Sequence, residues 1–358
     1  MSVPVMSVHV VLPDGVDDPA RPSGGNTYDR RVCDRLAALG WSVHEHPVPG
    51  PWPRPDAAAF AALAGVLHSI PDDALVVLDG LVASTAPKVL VPQARRLRVV
   101  VLVHMPLGDR RDDGARDART REGAVLAAAA AVVTTSEWTR WRLLELYSLP
   151  GNRVQVAEPG VDAADLAPRT AAGRALLCVA TVTFAKGHDV LLETLETLLD
   201  LSWHCTCVGS LDRDPGFVER VRRRVLDRGL GDRVCFAGTR TGLDLDRSYA
   251  AADLMVLASR AETYGLVVTE ALARGVPILA SEVGGVTEAL GYGVGGIRPG
   301  LLVPPDDPLA LGAALRAWLG DAELRGHLRQ AASERRQLLP VWTTTASVIA
   351  GVLAGASR

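Results

Sequence analysis

Short runs of apolar, β-branched residues alternate with amphipathic stretches of helical period along nearly the whole chain, and the pattern lapses once and restarts. The first series of runs reads VHVVLP, WSVHEHPV, ALVVLDG, LRVVVLVHM, AAVVTTS and RVQVAEP. Between them lie TYDRRVCDRLAALG, DAAAFAALAGVLHSI and SEWTRWRLLELYSL. Strands this apolar are buried on both faces, so the alternation predicts a parallel sheet covered by helices on each side. The stretch DAADLAPRTAAGR, Asp162 to Arg174, is polar, Ala-rich and broken by Pro168, and is read as a linker. The pattern then resumes with ALLCVAT, HCTCVGS, RVCFAG, LMVLAS and PILAS. The fold class expected is therefore α/β, with two doubly wound, Rossmann-like domains at residues 1–165 and 172–340. A last helix, about residues 341–356, has an apolar face and no strand after it, so it could pack on either domain, including back on the first. Open parallel sheets bind ligands beyond the carboxyl ends of their strands. Two such sheets facing each other would make one cleft.

Bulk properties exclude several classes of function. A net charge of −3 over 358 residues gives no reason to expect nucleic acid as a partner. The cysteines, Cys33, Cys178, Cys205, Cys207 and Cys235, sit mostly inside strand-like runs without a second ligand pair for zinc, and their odd number suits a reducing compartment. The opening MSVPVMSVHVVLPDG reads as a first strand without a basic leader, and no apolar run approaches the ~20 residues of a membrane helix. A cytoplasmic location is the expectation. The chain carries 38 basic residues, of which only Lys88 and Lys186 are lysines. Where a chain so consistently uses Arg, a retained Lys is a candidate for a compact point charge.

The most informative segment is SRAETYGLVVTEALARGVPILASEVGG, Ser259 to Gly285. A strand ends at Ser259, a loop carries Glu262, Tyr264 and Gly265, and a helix opens near Leu266, contains Glu270 and closes at Gly275. The free amides of Gly265, Leu266 and Val267 at such a helix start suit a diphosphate. Gly265 allows close approach to the backbone. Two carboxylates beside a phosphate site make sense if they accept hydrogen bonds from sugar and ribose hydroxyls.

The Glu-x7-Glu spacing of Glu262 and Glu270, followed by EALARGVPILASEVGGVTE, resembles the donor-site signature of the retaining glycosyltransferase family 4, which has the GT-B fold. The resemblance implies that Glu262 contacts the transferred sugar, Glu270 the ribose, and the amides after Tyr264–Gly265 the diphosphate. In LLCVATVTFAKGHDVLLETL, Lys186 and Gly187 match the family's Lys-Gly pair, which neutralises the leaving diphosphate. Thr181 stands where the family carries an Arg, a departure that either weakens donor binding or hands part of the role to Arg240 or Arg260. Gly24 and Gly25 in RPSGGNTYDRR resemble the Gly-Gly loop that faces the donor phosphates; the alternative is a plain loop with Ser23 or Asn26 as the N-cap of the next helix. His104, closing an apolar strand, matches a His that orients the donor sugar, and Asp79, closing ALVVLDG, is a candidate for holding acceptor hydroxyls. Base contacts are expected around Gly209 and from Gly238 to Arg240.

The activity implied is transfer, with retention, of a sugar from a nucleotide-diphospho-sugar to a hydroxyl of a soluble small-molecule acceptor. The expected carrier is UDP, with GDP the alternative. No Asp-x-Asp metal motif follows a strand, so no metal and no cofactor beyond the nucleotide-sugar is expected. A nucleotide-sugar epimerase and a non-catalytic nucleotide-sugar binder are the rival readings. Residues 109 to 122 hold five arginines and five acids, a neutral balance without aromatic anchors, and are read as a mobile lid rather than a membrane foot.

Overall fold

The computed structural model describes residues 6–109 and 114–357. The strands are β1 Ser7–Pro13, β2 Ser42–Val48, β3 Leu75–Asp79, β4 Arg98–Val103, β5 Ala131–Thr134, β6 Val154–Val156, β7 Ala175–Val179, β8 His204–Val208, β9 Val234–Gly238, β10 Leu254–Leu257, β11 Ile278–Ser281 and β12 Gly300–Val303. Helices α1 to α6 are Gly24–Ala38, Ala57–Ser69, Gly80–Ala83, Pro87–Gln93, Ala115–Ala128 and Glu137–Tyr147. Helices α7 to α14 are His188–Glu196, Pro215–Asp227, Gly242–Ala250, Leu266–Ala273, Val286–Leu290, Pro308–Gly320, Ala322–Arg335 and Trp342–Ala356.

Two compact units result: one holds Met1–Asp18, Ser23–Gly160 and Pro340–Arg358, the other Pro19–Pro22 and Val161–Leu339. The first unit contains a six-stranded parallel sheet in the order β2-β1-β3-β4-β5-β6. Its central strands are apolar on both faces, Leu75–Asp79 and Val99–Val103 being buried throughout. Helix α14 packs on α1, β4 and β5 of this unit. Its Trp342 meets Tyr28 edge to face, and Thr345 donates to the Glu158 carbonyl.

The second unit has a parallel sheet in the order β12-β11-β10-β7-β8-β9. The linker-like stretch belongs to this unit. Thr170 donates through its amide and its hydroxyl to the buried Asp253, and the Ala167 amide donates to the Arg274 carbonyl. Polarity and Pro168 suggested a loose connection, but a fixed carboxylate partner holds the segment down.

Strand order reverses between β1 and β3 in the first sheet and between β7 and β10 in the second. At such points the outgoing loops diverge to opposite faces and leave a crevice at the carboxyl ends, the usual ligand position. No single helix among the described residues is long and apolar enough to cross a membrane.

Candidate functional site

In the second unit the segment that follows β10 is tied by backbone bonds to those that follow β7 and β11. The Arg260 amide donates to the Ala185 carbonyl at 2.8 Å, and the Gly285 amide to the Glu262 carbonyl at 3.2 Å. Glycine is required for this proximity. A Cβ on Gly187, whose φ is +64°, would lie 1.9 Å from the Ala258 carbonyl oxygen, and one on Gly284 would lie 1.5 Å from that of Glu262. The result brings two candidates from distant sequence into contact: Lys186 Nζ donates to Glu262 Oε1 at 2.6 Å. Ser259 Oγ donates to the same oxygen at 2.9 Å. Both charged side chains keep some access to solvent, 28% for Lys186 and 11% for Glu262.

Three residues beyond Glu262, Gly265 caps α10 with φ +95° and no side chain engages the helix start. Leu266 and Val267 are the first helical residues, so their amides point out of the helix without intrahelical partners. Glu270 lies one turn further on, where the Tyr249 hydroxyl donates to its Oε2 at 2.6 Å. Burial raises the Glu270 carboxyl above its ordinary value, against the Tyr249 hydrogen bond and the nearby Arg274 charge. Tyr264 itself is buried.

Gly209 and Gly238 meet through a backbone hydrogen bond of 2.9 Å at the ends of β8 and β9. Gly209 also lies against the end of β7, where a Cβ would come within 2.9 Å of the Thr181 amide. Arg240 donates to Ser248 on α9. Arg260 is fully committed: it pairs with Asp189 and Asp306, donates to the Phe184 carbonyl, and stacks 3.9 Å from the Phe184 ring. These contacts brace the Lys186 turn, and Lys186 itself is paired with Glu262.

The first unit gathers a separate group. His104 follows β4, Asp79 ends β3 and Gly25 sits in the first turn of α1. Of the two N-caps considered, Ser23 is the one used: it caps α1 by accepting from the Asn26 amide, so Gly24 and Gly25 form the first turn of the helix rather than a loop before it. A Cβ on Gly25 would stand 3.3 Å from His104 Cδ2, so this glycine admits the imidazole. Asp29, one turn along α1, was not among the sequence candidates. It accepts a 2.7 Å hydrogen bond from His104 Nε2, and Asp79 Oδ2 lies 3.7 Å from the same nitrogen. Asp79 Oδ1 meanwhile accepts from the Leu81 amide. Among the described residues, Asp29, Asp79 and His104 also form the one group of potential metal-binding atoms, all within 4.8 Å of one another.

Burial, then the Asp29 charge, pushes the Asp79 carboxyl up to about 8. Burial alone would lower His104, but the charge and hydrogen bond of Asp29, helped by Asp79, carry it to about 9. Both groups bind protons more tightly folded than unfolded. The stability they lend is complete below their unfolded values and is lost as pH rises through about 8 to 9. The melting temperature is therefore expected to fall as pH rises from about 7 to about 9.5, and His104→Gln should flatten that fall. Thermal unfolding followed by circular dichroism checks both; equal slopes in the two proteins would contradict it.

The lid expectation is also corrected. Residues Ala115–Ala128 are helical, and Glu122, on that helix, is wholly buried. It accepts from the Leu107 and Gly108 amides, the Ser84 hydroxyl and the Tyr147 hydroxyl, so it fastens the segment after His104. Arg110, Arg111, Asp112 and Asp113 lie outside the described residues. The balanced acids and arginines read as a mobile lid because charge balance does not reveal which acid faces inward.

Comparison with known proteins gives two family matches: "Glycosyltransferase Family 4" over residues 7–165 and "Glycosyl transferases group 1" over residues 171–335. A D-inositol 3-phosphate glycosyltransferase of Jonesia denitrificans is 31% identical over 63% of this chain and 57% of that protein. One from Catenulispora acidiphila is 33% identical over 56% of this chain and 51% of its own length. A mannosylfructose-phosphate synthase of Agrobacterium fabrum is 27% identical over 60% and 50% respectively. The chain thus matches little more than half the length of these relatives. Among solved structures, a sucrose-phosphate synthase from Thermosynechococcus elongatus superposes with a TM-score of 0.79 at 22% identity, covering 98% of each chain. Anabaena Alr3699/HepE in complex with UDP-glucose gives 0.77 at 18% identity, covering 98% of this chain and 100% of that one.

Proposed function

The chain belongs to glycosyltransferase family 4, with the GT-B fold, and on that premise we propose that it transfers a sugar from a nucleotide-diphospho-sugar, with retention, to a hydroxyl of a small soluble acceptor. The observation that carries this reading is the Lys186–Glu262 pair, steadied by Ser259 and followed by the open amide end of α10. A cation, a helix N-terminus and a carboxylate are what a departing diphosphate and its sugar require.

Lys186 and Glu262 satisfy each other through a 2.6 Å hydrogen bond. An arriving diphosphate draws Lys186 Nζ to its oxygens, and the Leu266 and Val267 amides take the rest of the charge. Glu262, released, accepts from a sugar hydroxyl, and Glu270, steadied by Tyr249, accepts from the ribose. As the sugar–oxygen bond breaks, the electron pair leaves with the diphosphate, whose growing charge meets donors already in place. The acceptor hydroxyl attacks from the same face and passes its proton to the leaving phosphate. His104 and Asp79 contact sugar or acceptor hydroxyls.

UDP is the carrier proposed, with GDP the alternative. The names of the relatives, which concern D-inositol 3-phosphate and mannosylfructose phosphate, favour a small water-soluble polyol or sugar as acceptor. No resident metal is invoked, because cation and amides already face the diphosphate. Thermal-shift screening tests this: UDP or its sugars should raise the melting temperature with chelator present, since a ligand that binds the folded state stabilises it by an amount that grows with the logarithm of the ratio of ligand concentration to Kd. No shift with either nucleotide series, or a shift only when magnesium or manganese is added, would contradict it.

A further inference from the structure

The His104 ring in the first unit is held from one edge only. Its Cδ2 lies against Gly25, and its Nε2 is bonded to Asp29 at 2.7 Å with Asp79 at 3.7 Å. The Tyr28 ring packs edge-on against the imidazole, with centroids 5.1 Å apart, and its hydroxyl is spent on the Ala157 carbonyl. Among the described residues, Nδ1 of His104 has no hydrogen-bond partner, although the side chain is only 14% exposed. Asp29 is 2% exposed, its Oδ1 serves His104, and its Oδ2 is buried without a partner. A buried acid with one orphaned oxygen is costly to keep, and packing alone gives no reason for a carboxylate at that turn of α1.

We propose that Asp29 is a positioning residue for His104, fixing Nε2 inward so that the Nδ1 edge is presented to the substrate as a hydrogen-bond donor. A ring that donates through Nε2 to Asp29 can donate through Nδ1 as well only while it is cationic. The groups that set its charge are Asp29 on α1 and Asp79 at the end of β3; Tyr28 adds a neutral ring. The carboxylate therefore does two things: it selects the ring's orientation, and it keeps the exposed edge a donor through neutral pH. A donor held in that way suits an oxygen that is anionic or gains charge during transfer. The inference rests on the proposed transferase activity only for the identity of what Nδ1 meets.

Histidine-selective NMR titration tests it, with His104→Gln assigning the resonance among the eight histidines. In the unaltered protein His104 should titrate near 9. Asp29→Asn should lower the midpoint by roughly 1–3 units, the usual effect of removing an adjacent opposite charge. Asp29→Glu should recover part of the shift. If transfer is assayed, the basic limb of kcat/KM should move the same way, with kcat falling more than KM rises. A midpoint near 6.5 in the unaltered protein, or one unmoved in a folded Asp29→Asn, would overturn the proposal. So would broadening of the His104 signal by stoichiometric Mn2+, which would put a cation where the Asp29 bond is. A shifted midpoint in a protein that transfers no sugar would leave Asp29's role standing and refute the transferase reading alone.

Discussion

Glu262→Ala lowers kcat/KM by about a hundredfold or more, the scale of a lost transition-state contact, while the protein stays folded. The side chain sits at a strand end with Oε1 tied to Lys186 and Ser259, and nothing in either apolar core depends on it. The effect follows because Oε2 is the atom available to a sugar hydroxyl once the diphosphate engages Lys186. Glu262→Gln keeps an acceptor there but loses the ion pair, so its activity falls between the two. Steady-state kinetics with an unchanged melting temperature establishes the result. Activity within a few-fold of the unaltered enzyme would remove Glu262 from the chemistry.

Lys186→Ala weakens binding of the free nucleoside diphosphate by roughly tenfold to a hundredfold, the loss expected for one charge-assisted hydrogen bond. Two effects add. The cation is gone, and the Glu262 carboxylate, 2.6 Å from the lost Nζ, now repels the phosphates unopposed. The double variant Lys186→Ala/Glu262→Ala should therefore bind the diphosphate better than Lys186→Ala alone, a non-additivity expected of directly paired groups. Lys186→Arg restores binding only in part, since a planar fork replaces a point charge and Arg260 already occupies the neighbouring acids. Calorimetry with the diphosphate checks the series; equal affinity across all four proteins would defeat the assignment.

The apolar runs made both sheets legible, because a parallel strand covered on two faces leaves its mark in every residue. Lys186, Glu262 and His104 stood out as candidates because they follow strand ends, and Asp79 because it closes one. What escaped was every partner supplied from a helix face across long separations. Asp29 lies 75 residues from His104 and Tyr249 lies 21 from Glu270, and neither spacing has a sequence signature. Glu122 reads as one more acid among arginines, yet it is buried and holds four donors. Helical period tells which residues share a face, but not that a face will bury a charge around a polar cluster. For the Gly-Gly pair the sequence left two N-caps open, Ser23 and Asn26, because both residue types can cap a helix; the structure uses Ser23.

The central claim is acceptor-dependent transfer from a nucleotide-sugar, and release of the nucleoside diphosphate measures it directly. The purified chain is incubated with UDP-glucose, UDP-N-acetylglucosamine or GDP-mannose, with and without a panel of polyols, sugars and their phosphates, in the presence of chelator. The account predicts diphosphate release that needs both a donor and an acceptor, a product with the donor's anomeric configuration, and loss of release in Glu262→Ala. Tight donor binding with no release under any acceptor would identify a non-catalytic binder, and donor conversion without acceptor would identify an epimerase; either result contradicts the account.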